Sequence, residues 1–149
     1  MRVSAAGFTN LSRDHMDYHP DVAHYLAAKL RLFTEVVKDG GVAVVNADAE
    51  HADAFIRAAK ARGLKLITVG RKGETIRLDR REDRGGAQSL TLHFGGKIFY
   101  VELPQAGDFQ ASNALVAAGL AIGLLDENER EDAARVFKAL EHLKGAPGR

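Results

Sequence analysis

The sequence predicts an α/β fold: part of a doubly wound, mostly parallel sheet with helices on both faces, followed by a small antiparallel β-meander. Three observations predict it. Short unbroken apolar runs such as Gly-Val-Ala-Val-Val at 41–45 alternate with stretches of helical periodicity, as strands buried on both faces of a parallel sheet do. From Gly73 the apolar period drops to two, the mark of half-buried antiparallel strands. Composition is that of an ordinary globular chain, 149 residues with 46% hydrophobic and 28% charged, long enough for one domain with a fair core.

The elements follow in order. A short strand over 5–9 leads into a polar segment rich in His and Asp, 10–19, and then a helix. Pro20 and Asp21 suit a first helical turn, and Asp39-Gly40-Gly41 stops the periodicity. Val22, Tyr25, Leu26, Leu30, Phe33, Val36 and Val37 form one apolar stripe at 100° per residue. A strand over 41–45 and a helix over 50–62 come next, the helix closed by Gly63, a fitting residue just past a helix end. The run 64–69 is the next strand. The meander takes 75–78, 89–94 and 98–101, its last two strands joined across Gly95-Gly96. Arg80-Arg81-Glu82-Asp83-Arg84-Gly85-Gly86 reads as a solvated hairpin tip with no functional role, because its charges are mixed in sign. Helices over about 109–125 and 129–143 complete the chain, the second broken by Gly145, Pro147 and Gly148.

Charge and composition exclude several classes of function. A net charge of +1 makes no electrostatic case for nucleic acid. No apolar run reaches the length of a membrane span and no signal-like segment opens the chain. With no cysteine, disulfides and thiolate metal sites are excluded, which is compatible with a cytoplasmic location.

Lys29 is the residue that asks for an explanation, since it falls near the middle of the apolar stripe. A buried, unpaired ammonium is costly enough that it is usually neutralised, paired or chemically altered. One reading packs its stem among Tyr25 and Phe33 and lets the amine reach water or Asp17. The other makes it a neutral amine working beside His15 and Asp17. The stripe predicts that Lys29 is buried against Tyr25 and Phe33.

The run Phe8-Thr9-Asn10-Leu11-Ser12-Arg13-Asp14-His15-Met16-Asp17-Tyr18-His19, with Ala27-Ala28-Lys29, resembles the central domain of the Mur ligases, ATP-dependent enzymes that build the peptidoglycan stem peptide. Its Asp-Tyr-His ending is similar to the MurE type, which adds the third amino acid to UDP-N-acetylmuramoyl-L-alanyl-D-glutamate. Val44-Val45-Asn46-Ala47-Asp48 looks like that family's next strand end, Gly107-Asp108-Phe109-Gln110-Ala111-Ser112-Asn113 like its Gly-x-Phe/His-Asn-x-x-Asn signature, and Gly148-Arg149 like the start of Gly-Arg-x-Glu. No Gly-x-x-x-x-Gly-Lys-[Ser/Thr] phosphate loop occurs in the chain. The resemblance therefore implies that 1–149 is the C-terminal portion of a central ATP-binding domain, with the phosphate loop and flanking domains absent. In isolation it is expected to be inactive.

What the resemblance implies for chemistry is specific. Such ligases turn a carboxylate into an acyl phosphate with ATP, and Mg2+ offsets the repulsion between the carboxylate and the phosphoryl groups. Lys29 matches the lysine that carbon dioxide carbamylates, whose new anion helps hold Mg2+. His15 matches the metal-binding histidine. Asn113 matches an asparagine on the adenine side of ATP, and Gln110, where asparagine is commoner, keeps the amide. The competing reading is that Gln110 and Asn113 merely cap the last long helix. Arg149 matches an arginine that reaches ATP, and Asn46 and Asp48, at a strand's C-terminal end, are further nucleotide-site candidates. The implied partners are a UDP-N-acetylmuramoyl-dipeptide and an amino acid, either diaminopimelate or lysine, with no nucleic acid and no membrane. Two alternatives stand beside this: a non-catalytic nucleotide-binding or scaffold module of the same fold, and another Mur or folylpolyglutamate synthase-type ligase.

Overall fold

The computed structural model describes residues 3–9, 22–125 and 132–142. The chain runs β1 (Val3–Phe8), α1 (Val22–Arg31), a π-helical turn (Leu32–Val36), β2 (Val37–Asn46), α2 (Ala52–Ala61), β3 (Lys65–Gly70), β4 (Ile76–Arg84), β5 (Ala87–Phe94), β6 (Lys97–Leu103), α3 (Asp108–Gly123), α4 (Ala133–Ala139) and a 3-10 turn (Leu140–His142). The strands form one sheet in chain order. β1, β2 and β3 pair in parallel, and β4, β5 and β6 are antiparallel. The predicted α/β class holds, as a mixed sheet.

The two halves of the sheet meet at an unusually short junction. β3 and β4 pair in parallel only through Val69 with Ile76 and Gly70 with Arg77. A parallel crossover ordinarily takes a dozen residues or more, and here five suffice because two threonines fold the chain back. Thr75 N–H donates to the Thr68 carbonyl at 3.1 Å, Thr68 N–H donates to Thr75 Oγ1 at 3.2 Å, and Glu74 N–H donates to Thr68 Oγ1 at 2.8 Å. Gly73 is required in this turn, since a Cβ there would lie 2.5 Å from the Val69 carbonyl carbon.

β2 divides the core by strict alternation. Val42 and Val44 face a large apolar cluster with Ile67, Val69, Leu90, Leu92, Val101, Leu103 and the inner faces of α3 and α4. Ala43 and Val45 face a second cluster with Phe8, Phe33, Val37 and, from α2, Phe55 and Ala59. Phe8 stacks on Phe55 with ring centroids 3.8 Å apart, and Phe33 meets the same ring edge-on at 5.2 Å. Burial on both faces is what the unbroken apolar run at 41–45 predicts.

α3 crosses this sheet against the direction of the parallel strands. A Cβ on Gly123 would meet Val42 Cγ1 at 2.5 Å, and one on Gly119 would meet Val44 Cγ1 at 2.7 Å. Moving toward the helix start thus moves toward the C-terminal ends of the strands. The first turn of α3 is delivered to that edge.

Element boundaries differ from the sequence-based expectation by a residue or two at several strand ends, and by more in the segments that follow. The helix predicted over 22–37 ends as an α-helix at Arg31, passes through the π-helical turn, and Val37 begins β2, where it pairs with Val3. The cause lies outside the helix: Arg62, at the C-cap of α2, donates from Nη1 to the carbonyls of Phe33 at 3.0 Å and Val37 at 2.6 Å, and from Nη2 to Asp39 Oδ1 at 2.8 Å. Carbonyls a longer helix would leave unpaired are satisfied from α2 instead. The segment 80–84 is strand rather than hairpin tip, paired with β5 from Arg80 with Thr91 to Arg84 with Ala87, and the tip is Gly85-Gly86 alone. On the open face of the sheet Glu82 bridges Arg80 at 2.6 Å and Arg84 at 3.6 Å, so mixed charges at alternate positions are compatible with a strand. Of the helix predicted over 129–143, the described part is α4 and the 3-10 turn.

Candidate functional site

In open α/β sheets ligands bind beyond the carboxyl ends of the strands. That edge is built here from the exits of β1, β2 and β3 and from the start of α3. Asn46, the last residue of β2, is 5% exposed. Its Nδ2 donates to the Thr9 carbonyl at 3.0 Å and its Oδ1 accepts from the Asp48 N–H at 3.1 Å. Asp48 in turn accepts the backbone N–H of Arg71 at 2.7 Å and of Lys72 at 2.8 Å, one on each carboxylate oxygen. Gly70 makes room for this: at φ +110 it adopts a conformation side chains avoid, and a Cβ there would stand 2.6 Å from Asp48 Oδ2. Asn46 and Asp48 are therefore engaged in joining the three strand exits to one another.

The start of α3 is held by the antiparallel half of the sheet. Gly107 is its N-cap, at φ 99, with no side-chain capping bond. Gln88 on β5, fully buried, donates from Nε2 to the carbonyls of Gln105 at 2.7 Å and Gly107 at 2.9 Å. Gln88 Oε1 accepts from Arg81 Nη1 at 3.0 Å. Arg81, whose side chain is 17% exposed, also places Nε 2.9 Å from Asp108 Oδ1, an ion pair in which the N–H is not aimed along the contact, and bonds Asp83 through Nη1 at 2.7 Å. Arg71, from the loop that Asp48 holds, reaches the same Asp108 oxygen at 3.8 Å. A polar chain thus runs from Thr9 through Asn46, Asp48 and Arg71 to Asp108.

Gln110 and Asn113 follow one turn apart on α3, both half-buried, with no hydrogen-bond partner among the described residues. They do not cap the helix, since that position belongs to Gly107. Each leaves an amide with donor and acceptor unused, beside an edge at which Asn46 and Asp48 are engaged.

Lys29 lies on α1 and is half-buried, not buried as its place on the stripe predicts. Leu26 and Leu30 are the residues of α1 that pack against the core containing Phe33 and Val37. The chain leaves the α-helix after Arg31, so the regular stripe that puts Lys29 at its middle does not extend to Val37. The side chain of Tyr25, and His15 and Arg149 altogether, lie outside the described residues. Among the described residues no three His, Asp or Glu side chains converge on a point where a metal ion would sit. None of the described helices is long and apolar enough to cross a membrane.

Sequence reasoning missed Arg81 and Gln88. The signal was available for Gln88, whose position is in phase with the inward-facing Leu90 and Leu92 of the same strand, so that a polar side chain had to enter the core there.

Comparison with known proteins agrees with this geometry. Residues 1–121 match the family model described as the Mur ligase middle domain. Over its whole length the chain is 59% identical to the UDP-N-acetylmuramoyl-L-alanyl-D-glutamate–2,6-diaminopimelate ligase of Bradyrhizobium diazoefficiens, of which it covers 30%. A solved structure of a ligase of that name superposes with a TM-score of 0.79 at 29% identity, over 99% of this chain and 29% of the other. The MurF ligase of Thermotoga maritima in complex with ADP shares the fold at a TM-score of 0.68 and 18% identity, over 99% of this chain and 32% of the other. The chain thus spans about three-tenths of the length of the relatives it matches. With its sheet, its edge and most of its length matched by that model, the chain belongs to the Mur ligase middle-domain family.

Proposed function

We propose that this chain is the C-terminal portion of the ATP-binding domain of a ligase that adds diaminopimelate to UDP-N-acetylmuramoyl-L-alanyl-D-glutamate through an acyl phosphate. The observation that carries the reading is 59% identity, over the whole of this chain, to a ligase named for that reaction. It rests on no single motif.

Within that reaction the described residues have definable work. Gln110 and Asn113 present unpartnered amides beside the strand exits, the donor and acceptor pair that an adenine edge matches. That a related ligase of this fold holds ADP supports ATP as the nucleotide. Arg149 is assigned to the same nucleotide. Asn46 and Asp48 serve it indirectly, by fixing the strand exits around which it would lie. Mg2+ would be held in this chain through Lys29, which carbon dioxide would convert to a carbamate supplying the anionic oxygen that magnesium prefers, with His15 as a further ligand. When bound, the ion would offset phosphate charge during phosphoryl transfer. The reaction draws on ATP and a UDP-linked precursor, so its place is the cytoplasm. The chain by itself, without a phosphate loop, is inactive in this reading.

The test is carried out on the full-length protein, with ATP, Mg2+ and the UDP-linked dipeptide. One ADP should be released per amide bond formed with diaminopimelate, and little with lysine. ADP release with lysine but not diaminopimelate would move the assignment to another branch of the family, and none with either would overturn it.

A further inference from the structure

We infer that Arg81 and Gln88 are positioning residues for the nucleotide, holding the first turn of α3 so that Gln110 and Asn113 stand at the strand exits. The inference rests on the nucleotide role proposed above for those two amides. Neither Arg81 nor Gln88 belongs to a motif that carries the family resemblance, and both lie on the antiparallel strands, away from the parallel half that forms the edge.

The geometry is a two-sided grip on one glycine. Gln88 binds the carbonyls of Gln105 and Gly107, just before the helix, and Arg81 binds Asp108, just after the cap. Gly107 sits at φ 99 with nothing within 4 Å of a would-be Cβ, so the local backbone is neither crowded nor capped by a side chain. Such a helix start frays unless something else defines it. Here β4 and β5 define it, through a glutamine with no exposed surface and an arginine whose side chain is 17% exposed. The neighbours of Gln88 on the inner face of β5 are Leu90 and Leu92, and an apolar residue in its place would avoid burying an amide. What the polar pair supplies instead is direction: two carbonyls and one carboxylate fixed on either side of the pivot, about one turn before Gln110 and two before Asn113.

The experiment measures ATP KM, amino-acid KM, kcat and melting temperature in the full-length ligase for Arg81→Met, Arg81→Lys, Asp108→Ala and Asn113→Ala. Asp108 has a side chain 67% exposed, so its truncation tests the grip without threatening the fold. Arg81→Met and Asp108→Ala should each raise ATP KM by about tenfold while kcat stays within about twofold and amino-acid KM is unchanged, the pattern of lost nucleotide binding without lost chemistry. Arg81→Lys should recover part of that loss, since it keeps the charge toward Asp108 without the fork that also reaches Gln88. If Asn113→Ala raises ATP KM and Arg81→Met does not, the positioning role is overturned while the nucleotide site stands. If Asn113→Ala leaves ATP KM unchanged, the nucleotide reading itself falls, and the inference with it. An equal deterioration of every constant with a lowered melting temperature in both Arg81→Met and Asp108→Ala would make the grip merely structural and overturn the inference.

Discussion

Asn46 at the end of β2 donates to the Thr9 carbonyl at the end of β1, over 3.0 Å and 37 positions of sequence. The same side chain receives the N–H of Asp48, so one buried amide fixes both the exit of its neighbouring strand and the turn that follows its own. A side chain that does this at a sheet's C-terminal edge shapes the edge without needing to touch what binds there.

The consequence is a ranking of two neighbouring substitutions. Asn46→Ala leaves the Thr9 carbonyl and the Asp48 N–H without their partner in a buried setting, and should cost roughly 1–3 kcal/mol. Asp48→Ala removes two charge-assisted bonds, but to exposed backbone groups that water can satisfy, and should cost about 1 kcal/mol or less. Urea denaturation of the two variants decides it; a larger loss for Asp48→Ala would mean that the Arg71 and Lys72 loop matters more to stability than the strand exits.

Close approach of α3 to the sheet gives a second pair. A Cβ on Gly119 would lie 2.7 Å from Val44 Cγ1 and 3.3 Å from Ile67 Cγ2, both buried core side chains, so Gly119→Ala should destabilise by about 1–3 kcal/mol despite its better helix propensity. Gly86→Ala, in a hairpin tip with nothing within 4 Å, should change stability by less than about 0.5 kcal/mol. Equal melting temperatures for the two variants would show that α3 can lift off the sheet at little cost.

How far the sequence carries is visible in particular residues. The parallel strands were legible because burial on both faces leaves an unbroken apolar run, and the β5–β6 turn because Gly95 and Gly96 both take positive φ, 60 and 78, as a two-residue hairpin demands. The end of α1 was not legible, since the carbonyls of Phe33 and Val37 just beyond it are bound by Arg62 from 29 and 25 positions away. Local periodicity carries no trace of that partner. The segment 80–84 was misread for a related reason: its charges suit solvent on one face, while Arg81 turns inward to Gln88 and Asp108, a contact that exists only once β4, β5 and α3 are assembled. At the edge, the sequence located Asn46, Asp48, Gln110 and Asn113, and the structure separates the two that are engaged from the two that are unpartnered.

Lys29 supplies the last prediction, in the full-length protein: Lys29→Ala abolishes ligase activity, and a short-chain carboxylate partly restores it. Its half-buried position removes the simplest competing account. A fully buried lysine cut back to alanine would leave a cavity worth about 2 kcal/mol or more, and inactivity would then say little about chemistry. At the margin of the α1 contact, with Leu26 and Leu30 doing the packing, the truncation should leave the fold intact, so melting temperature should change by no more than a few degrees. What the proposed role loses is an anionic oxygen for magnesium, and a diffusible carboxylate carries the same donor to the same place. Restored turnover in a variant of unchanged stability identifies the role as a carbamate ligand. Near-normal turnover without any additive would refute it, and a large fall in melting temperature would return Lys29 to the packing role that its place on the stripe first suggests.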